Sequence, residues 1–279
     1  MRRQFIYITM MLLFMATGGK VMAQQKSITL QGTPTEINVR HNICVEVLEA
    51  SFSKMEVTGA AKDLELFRYT YEGGELTLMR EQKLLKRRPG RIRVKLYVTA
   101  LSRIEEVDLS GASTLTLKGT DRLRLSSIEA SGASIVEASG TVGDLEIDAS
   151  GASNVIFTGN AHDLSIEIGG ASKVDYSGNV RELEIEVGGA SKCTYVGNAH
   201  TASVEVSGAS KLDLNAQIAQ RLEAELGGGS KIFFKGAAGS ATIEATGGSR
   251  FDGTEASIKD TNIEATAGSQ VKLKDSGRR

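Results

Sequence analysis

One small-residue turn ending in serine is written nine times between Asp108 and Lys274. The serines are Ser113, Ser134, Ser153, Ser172, Ser191, Ser210, Ser230, Ser249 and Ser269, separated by 19 to 21 residues. A fixed period of this size is the mark of a stacked repeat architecture, in which each unit buries its apolar side only against its neighbours.

The repeat around Ser191 shows what one unit must be. Leu183, Ile185 and Val187 alternate with Glu184 and Glu186, the period of two that a strand with one apolar face requires. After the turn, Cys193 and Tyr195 alternate with Lys192 and Thr194 as a second short strand, and Gly197-Asn198 supplies another corner. The columns hold between repeats. Six residues before the serine stand Val107, Ile128, Ile147, Ile166, Ile185, Val204, Ala224, Ile243 and Ile263; two after it stand Leu115, Val136, Val155, Val174, Cys193, Leu212, Ile232, Phe251 and Val271. Columns of this kind predict coils stacked in register at ~4.8 Å. Helical repeats are excluded by the alternation and by the recurring Gly-Gly and Ser-Gly pairs. The Leu-x-x-Leu-x-Leu pattern of leucine-rich repeats is absent. The predicted class is all-β, a single-stranded parallel β-helix of about 19 to 20 residues per coil. Parallel crossovers predict a right-handed one.

The first residues carry Arg2 and Arg3, an apolar run from Phe5 to Ala16, and Val21-Met22-Ala23 as a small-x-small cleavage site. That is a secretory signal peptide over residues 1–23, its apolar run too short to span a bilayer. The mature chain is then exported, to the periplasm or the cell surface, with no transmembrane segment and no cysteine after the cleavage site to carry a lipid. Residues 24–279 read as one domain. In 24–105 the period is lost but strands persist, at Glu36 to Val39, Ile43 to Leu48, Lys54 to Val57, Leu64 to Tyr71, Leu76 to Met79 and Ile92 to Val98. These are irregular first coils or a cap over the open edge of the stack, with regular coils in 106–274. Cys193 reads as a small buried hydrophobe rather than half of a disulfide with Cys44.

An exported chain whose irregular strand-rich start leads into Leu109-Ser-Gly-Ala-Ser113 and then repeated Ser/Gly-Gly-Ala-Ser corners resembles the head GIN-domain family of Bacteroidetes, over roughly Glu36 to Val271. The resemblance implies a secreted β-helical protein of the kind labelled auto-transporter adhesin. An auto-transporter carries a membrane-spanning β-barrel after its passenger, and the residues up to Arg279 leave no room for one, so self-translocation is not expected.

Charge is uneven. Residues 24–105 carry 14 Lys and Arg against 10 Asp and Glu; residues 106–279 carry 16 against 24. Much of the positive excess lies in Arg80, Lys83, Lys86, Arg87, Arg88, Arg91, Arg93 and Lys95. Lys83, Lys86, Arg87, Arg88 and Arg91 surround Pro89-Gly90, which makes them the candidate contact surface for acidic polysaccharide or anionic lipid head groups. Nucleic acid is not an expected partner outside the cytoplasm. Five residues before each serine is an acid, Asp108, Glu129, Asp148, Glu167, Glu186, Glu205, Glu225, Glu244 and Glu264. This stripe is either a solvated face or a cation-binding one, and the Gly-Gly-x-Gly-x-Asp calcium repeat that would favour the second is missing. One residue after the serine, Lys173, Lys192, Lys211, Lys231 and Arg250 are placed to offset the acids across the corner.

Catalysis is not expected, and no cofactor is called for. The serines stand at glycine corners without a Gly-x-Ser-x-Gly elbow. His162 and His200 share a column two coils apart, too far to share one zinc, neither has a third ligand in evidence, and no metal site is expected. The strongest enzyme rival is a polysaccharide lyase or hydrolase using Asp175, Asp213 and Asp252, an outward column two coils apart in which Thr194 and Phe233 intervene. Phe157, Tyr176, Tyr195 and Phe234 fall inward as core ladders, leaving Phe233 as the best exposed aromatic. The leading expectation is an exported, non-enzymatic adhesin or envelope structural protein. The alternatives are a glycan-active enzyme and an envelope lipid- or ligand-binding module.

Overall fold

The computed structural model describes residues 23–81, 90–266 and 268–274. It is a parallel β-solenoid. Each coil has a leading strand that runs into the serine corner and a trailing strand that leaves it. Leading strands Ser127–Ala130, Leu145–Ala149, Asp163–Ile168 and Glu182–Val187 pair in parallel, with Ile128, Ile147, Ile166 and Ile185 in register. Trailing strands Ile135–Thr141, Asn154–Thr158 and Lys173–Ser177 align Val136, Val155 and Val174. From Lys192 onward the trailing strand continues without a break into the next leading strand, giving Lys192–Val206, Lys211–Leu226, Lys231–Ala245 and Arg250–Ala265 before Gln270–Leu273 closes the described stack.

The apolar columns are the core. Ile128, Ile147, Ile166, Ile185, Val136, Val155, Val174 and Cys193 are essentially inaccessible, and burying each aliphatic side chain contributes about 1.5 to 3 kcal/mol. Ile263, in the same column, is 43% exposed because no described strand stacks beyond its coil. The inward aromatics form a ladder: Phe157, Tyr176 and Tyr195 stack nearly parallel with centroids 5.4 and 5.6 Å apart. The tyrosine hydroxyls reach out of the core at its corner, Tyr176 donating to the Gly159 carbonyl at 2.8 Å and Tyr195 to that of Gly178 at 3.1 Å.

At the serine corner, backbone bonds tie coil to coil. Ala171 N–H donates to Gly151 C=O at 2.7 Å, and Ala190 and Ala209 repeat the bond at 2.8 Å to Gly170 and Gly189. The serine side chains point inward and are buried from Ser113 to Ser249. Ser113 and Ser134 close their own turns by donating to the Ser110 and Ser131 carbonyls at 3.0 and 2.8 Å.

The N-terminal part extends this stack and then covers its end. The strands are β1 (Ala23–Thr29), β2 (Glu36–Arg40), β3 (Ile43–Glu49), β4 (Lys54–Ala60), β5 (Phe67–Glu72), β6 (Glu75–Arg80), β7 (Ile92–Val98), β8 (Glu106–Ser110) and β9 (Thr114–Arg122). β2 and β3 form a coil parallel to β8 and β9, turning at His41 and Asn42, both with positive φ. β6 and β7 form a further coil on top of β2 and β3, so stacking order departs from chain order. β5 then lies antiparallel on β6, and β4 antiparallel on β7 with β1 beyond it. The parallel edge is thereby covered, which limits edge-to-edge association. The strand expected from Leu64 starts instead at Phe67, because Ala61–Leu64 is a helical turn, α1, that buries Asp63 and Leu64.

Charged faces and candidate functional site

Of the basic candidates, Arg91 is described and Lys83, Lys86, Arg87 and Arg88 lie outside the described residues. Arg91 is exposed at the start of β7, where alternation puts Arg93 and Lys95 on the same outward side while Ile92, Val94 and Leu96 fill the core. Arg80 departs from the sequence expectation of an open basic cluster. It is 4% exposed, ion-paired with buried Asp63, and donates to the Gly90 carbonyl at 2.7 Å. It anchors the base of the basic segment and contributes no charge to the surface.

The acid stripe lies along the outward side of the leading strands. Its members Glu129 and Asp148 both titrate above their ordinary values. Partial burial is the main cause; Asp108 and Asp148 add to it around Glu129, and Glu146 and Glu167 around Asp148. Beside the stripe runs an open groove of about 660 Å³, lined by Asp144, Glu146, Asp163, Glu182, Thr201 and Glu223 among others.

Of the five cations expected to offset these acids across the corner, Lys173, Lys192, Lys211 and Arg250 do not reach them. They pair on their own face: Lys173 with Asp175, Lys192 and Lys211 with Asp213 at 3.0 and 2.7 Å, and Arg250 with Asp252. Two-residue alternation puts partners of one coil on the outward side of the same strand, and Lys192 reaches Asp213 on the neighbouring coil, whereas the corner separates these cations from the stripe. Repulsion within the stripe is therefore felt at Glu129 and Asp148, whereas Asp108 at its start has Arg40 at 3.9 Å.

This pairing also bears on the carboxylates considered for glycan cleavage. Asp213 and Asp252 flank Phe233 in register, in a groove of about 400 Å³. Burial raises Asp213, yet hydrogen bonds from Lys211 and Lys192 hold it below its ordinary value. The Thr254 hydroxyl and then Arg250 pull Asp252 down to about 2. A general acid needs the opposite shift. Phe233 is 36% exposed, with the Lys211 ammonium 4.6 Å from its ring centre.

The cysteines are both free, and burial pushes the Cys193 thiol well above its ordinary value. His162 has the neighbours that a search along its own column does not reveal. Its Nδ1 lies 3.3 Å from Asp144 Oδ1, one coil earlier, and 3.3 Å from Asp163 Oδ2. On the far side of the ring, Arg181 Nε donates to Nε2 at 3.1 Å, and Arg181 also pairs with Asp163 and Glu182.

Comparison with solved structures agrees with the architecture. The chain is similar to an adhesin-like protein of Parabacteroides distasonis (TM-score 0.65, 16% identity, 91% of this chain and 98% of that one). A Parabacteroides distasonis protein described as a putative lipid binding protein aligns with TM-score 0.63 at 15% identity, over 90% of this chain and 96% of the other. A putative adhesin of Parabacteroides merdae aligns with TM-score 0.59 at 16% identity, over 91% and 98%. No curated protein sequence matches. The family model described as "Putative auto-transporter adhesin, head GIN domain" matches residues 33–217 and 176–278, and the chain belongs to that family.

Proposed function

We propose that the protein is an exported, non-enzymatic adhesin of the cell envelope, which contacts acidic polysaccharide or anionic lipid head groups through its N-terminal coil. The observation that carries the reading is the outward row of Arg91, just before β7, with Arg93 and Lys95 on it, the last paired with Glu46 at 4.0 Å, a row continuous in sequence with Lys83, Lys86, Arg87 and Arg88. Several cations within a Debye length of ~8 Å attract polyanions with a strength that falls as salt rises. Arginine adds paired hydrogen bonds to phosphate or carboxylate. The remainder of the molecule serves as a shaft: its leading face is acidic, and the carboxylates on its trailing face are held by neighbouring cations. The family description and the adhesin-like structures support the adhesive role.

The test is charge reversal of Lys86, Arg87 and Arg88 to Glu, with binding measured across a salt series to an anionic polysaccharide and to phosphatidylglycerol vesicles. The parent should bind at low salt and the variant at least tenfold more weakly. Equal binding by the two removes this surface. Turnover of glycans by the parent would instead establish the enzyme reading.

A further inference from the structure

Among the described residues, Asp144, His162 and Asp163 bring an imidazole nitrogen and two carboxylates to within 4.8 Å of one another. We propose that they form a binding site for one divalent transition-metal ion of the zinc type, held by His162 Nδ1, Asp144 Oδ1 and Asp163 Oδ2.

The separations from Nδ1 fit a pair of zinc ligands as well as they fit a long hydrogen bond to Asp144. Zinc sits ~2.0 to 2.2 Å from nitrogen and carboxylate oxygen in a tetrahedron, so its ligand atoms lie about 3.3 to 3.5 Å apart. Nδ1 is 3.3 Å from each carboxylate oxygen, just past the long end of the usual ~2.7 to 3.2 Å range for N–H···O bonds. The second observation is a carboxylate oxygen without a partner. Asp163 Oδ1 is sealed from solvent and accepts no hydrogen bond, while the rest of the side chain is 32% exposed and its Oδ2 accepts from Arg181 at 3.0 Å. A metal on that carboxylate would draw off its charge. The imidazole selects against calcium, which takes 6 to 8 oxygen ligands, and favours zinc, nickel or copper.

Only one coil builds this set among the described residues. In the next two coils, the place of His162 is taken by Arg181 and His200, and the place of Asp163 by Glu182 and Thr201. The site opens on the groove of the leading face, which leaves the fourth coordination position to water or to an incoming ligand. Arg181 is the competitor. Its Nε–H donates to Nε2, which puts the ring proton on Nδ1, where the metal must bind. Metal binding shifts that proton to Nε2, and Arg181, whose Nη2 also holds the ligand oxygen Asp163 Oδ2 at 3.0 Å, must then release both and turn to Glu182, which it already holds at 2.6 Å.

The test is isothermal titration of the chelator-treated full chain with zinc chloride, alongside His162→Gln, the Asp144→Asn/Asp163→Asn pair, Arg181→Gln and His200→Gln. Circular dichroism checks that each variant keeps the fold, as expected for substitutions outside the core. One zinc should bind per chain. His162→Gln and the double Asn variant should lose at least tenfold in affinity, Arg181→Gln should gain at least threefold, and His200→Gln should match the parent. Absence of saturable uptake at one equivalent, or binding by His162→Gln within twofold of the parent, overturns the site.

Discussion

Gly188 and Gly189 are neighbours in one corner, yet replacing each by alanine should have opposite consequences. Gly189 has φ +74°, and a Cβ there would meet the Gly170 carbonyl of the coil below within van der Waals contact. That carbonyl accepts the bond from Ala190 N–H at 2.8 Å. Left-handed backbone costs a non-glycine residue roughly 1 to 2 kcal/mol, and weakening the corner bond adds about 0.5 to 1.5 kcal/mol. Gly189→Ala should therefore lose about 1.5 to 3.5 kcal/mol. At Gly188, φ lies outside the left-handed region, and a Cβ would find its nearest neighbour, Ser207 Oγ, at 3.7 Å. Gly188→Ala should be neutral, or stabilise by up to ~1 kcal/mol by restricting the unfolded chain. At roughly 2 to 4 °C per kcal/mol for a chain of this size, the two melting temperatures should differ by about 3 °C or more. Calorimetry with matching urea titrations measures it, because a change in midpoint at constant slope reports stability alone. Equal melting of the two variants would refute the corner-to-corner contact as the source of the glycine requirement.

Ile185→Asp puts an unpaired charge at a position with no solvent access and should cost several kcal/mol, seen as loss of the cooperative melt; an unchanged melt would refute the column assignment. Glu129→Gln with Asp148→Asn should raise stability near pH 7. Both acids titrate above their ordinary values in the fold, so the folded parent binds protons more tightly than the unfolded chain and gains stability as pH falls. The variant's advantage should therefore vanish below about pH 4, where both carboxyls are protonated in either state. A difference that does not change with pH would refute the linkage.

The sequence by itself determined the coil, its period and its inside, because these are properties of residues close in the chain. Alternation by two assigns Ile166 and Val174 inward and Glu167 and Lys173 outward whatever the rest does, and identical columns in successive repeats leave in-register stacking as the way to bury them. The same reasoning found the aromatic ladder of Phe157, Tyr176 and Tyr195. Only the tertiary structure decided what depends on side-chain reach between strands. Lys211 could be placed outward from its position, but its choice of Asp213 over an acid across the corner follows from the angle the corner makes. Arg80 looked like part of a basic surface because nothing near it in sequence is acidic except Glu81; its partner Asp63 comes from α1, brought in by the antiparallel cap. His162 showed no companion ligands because the comparison ran along its own column, whereas Asp144 and Asp163 belong to the adjoining one. The stacking order of β6 and β7 outside β2 and β3 was illegible for a related reason. Without a repeated corner, periodicity specifies strands but not neighbours, and only the packing of their apolar sides against one another selects the order.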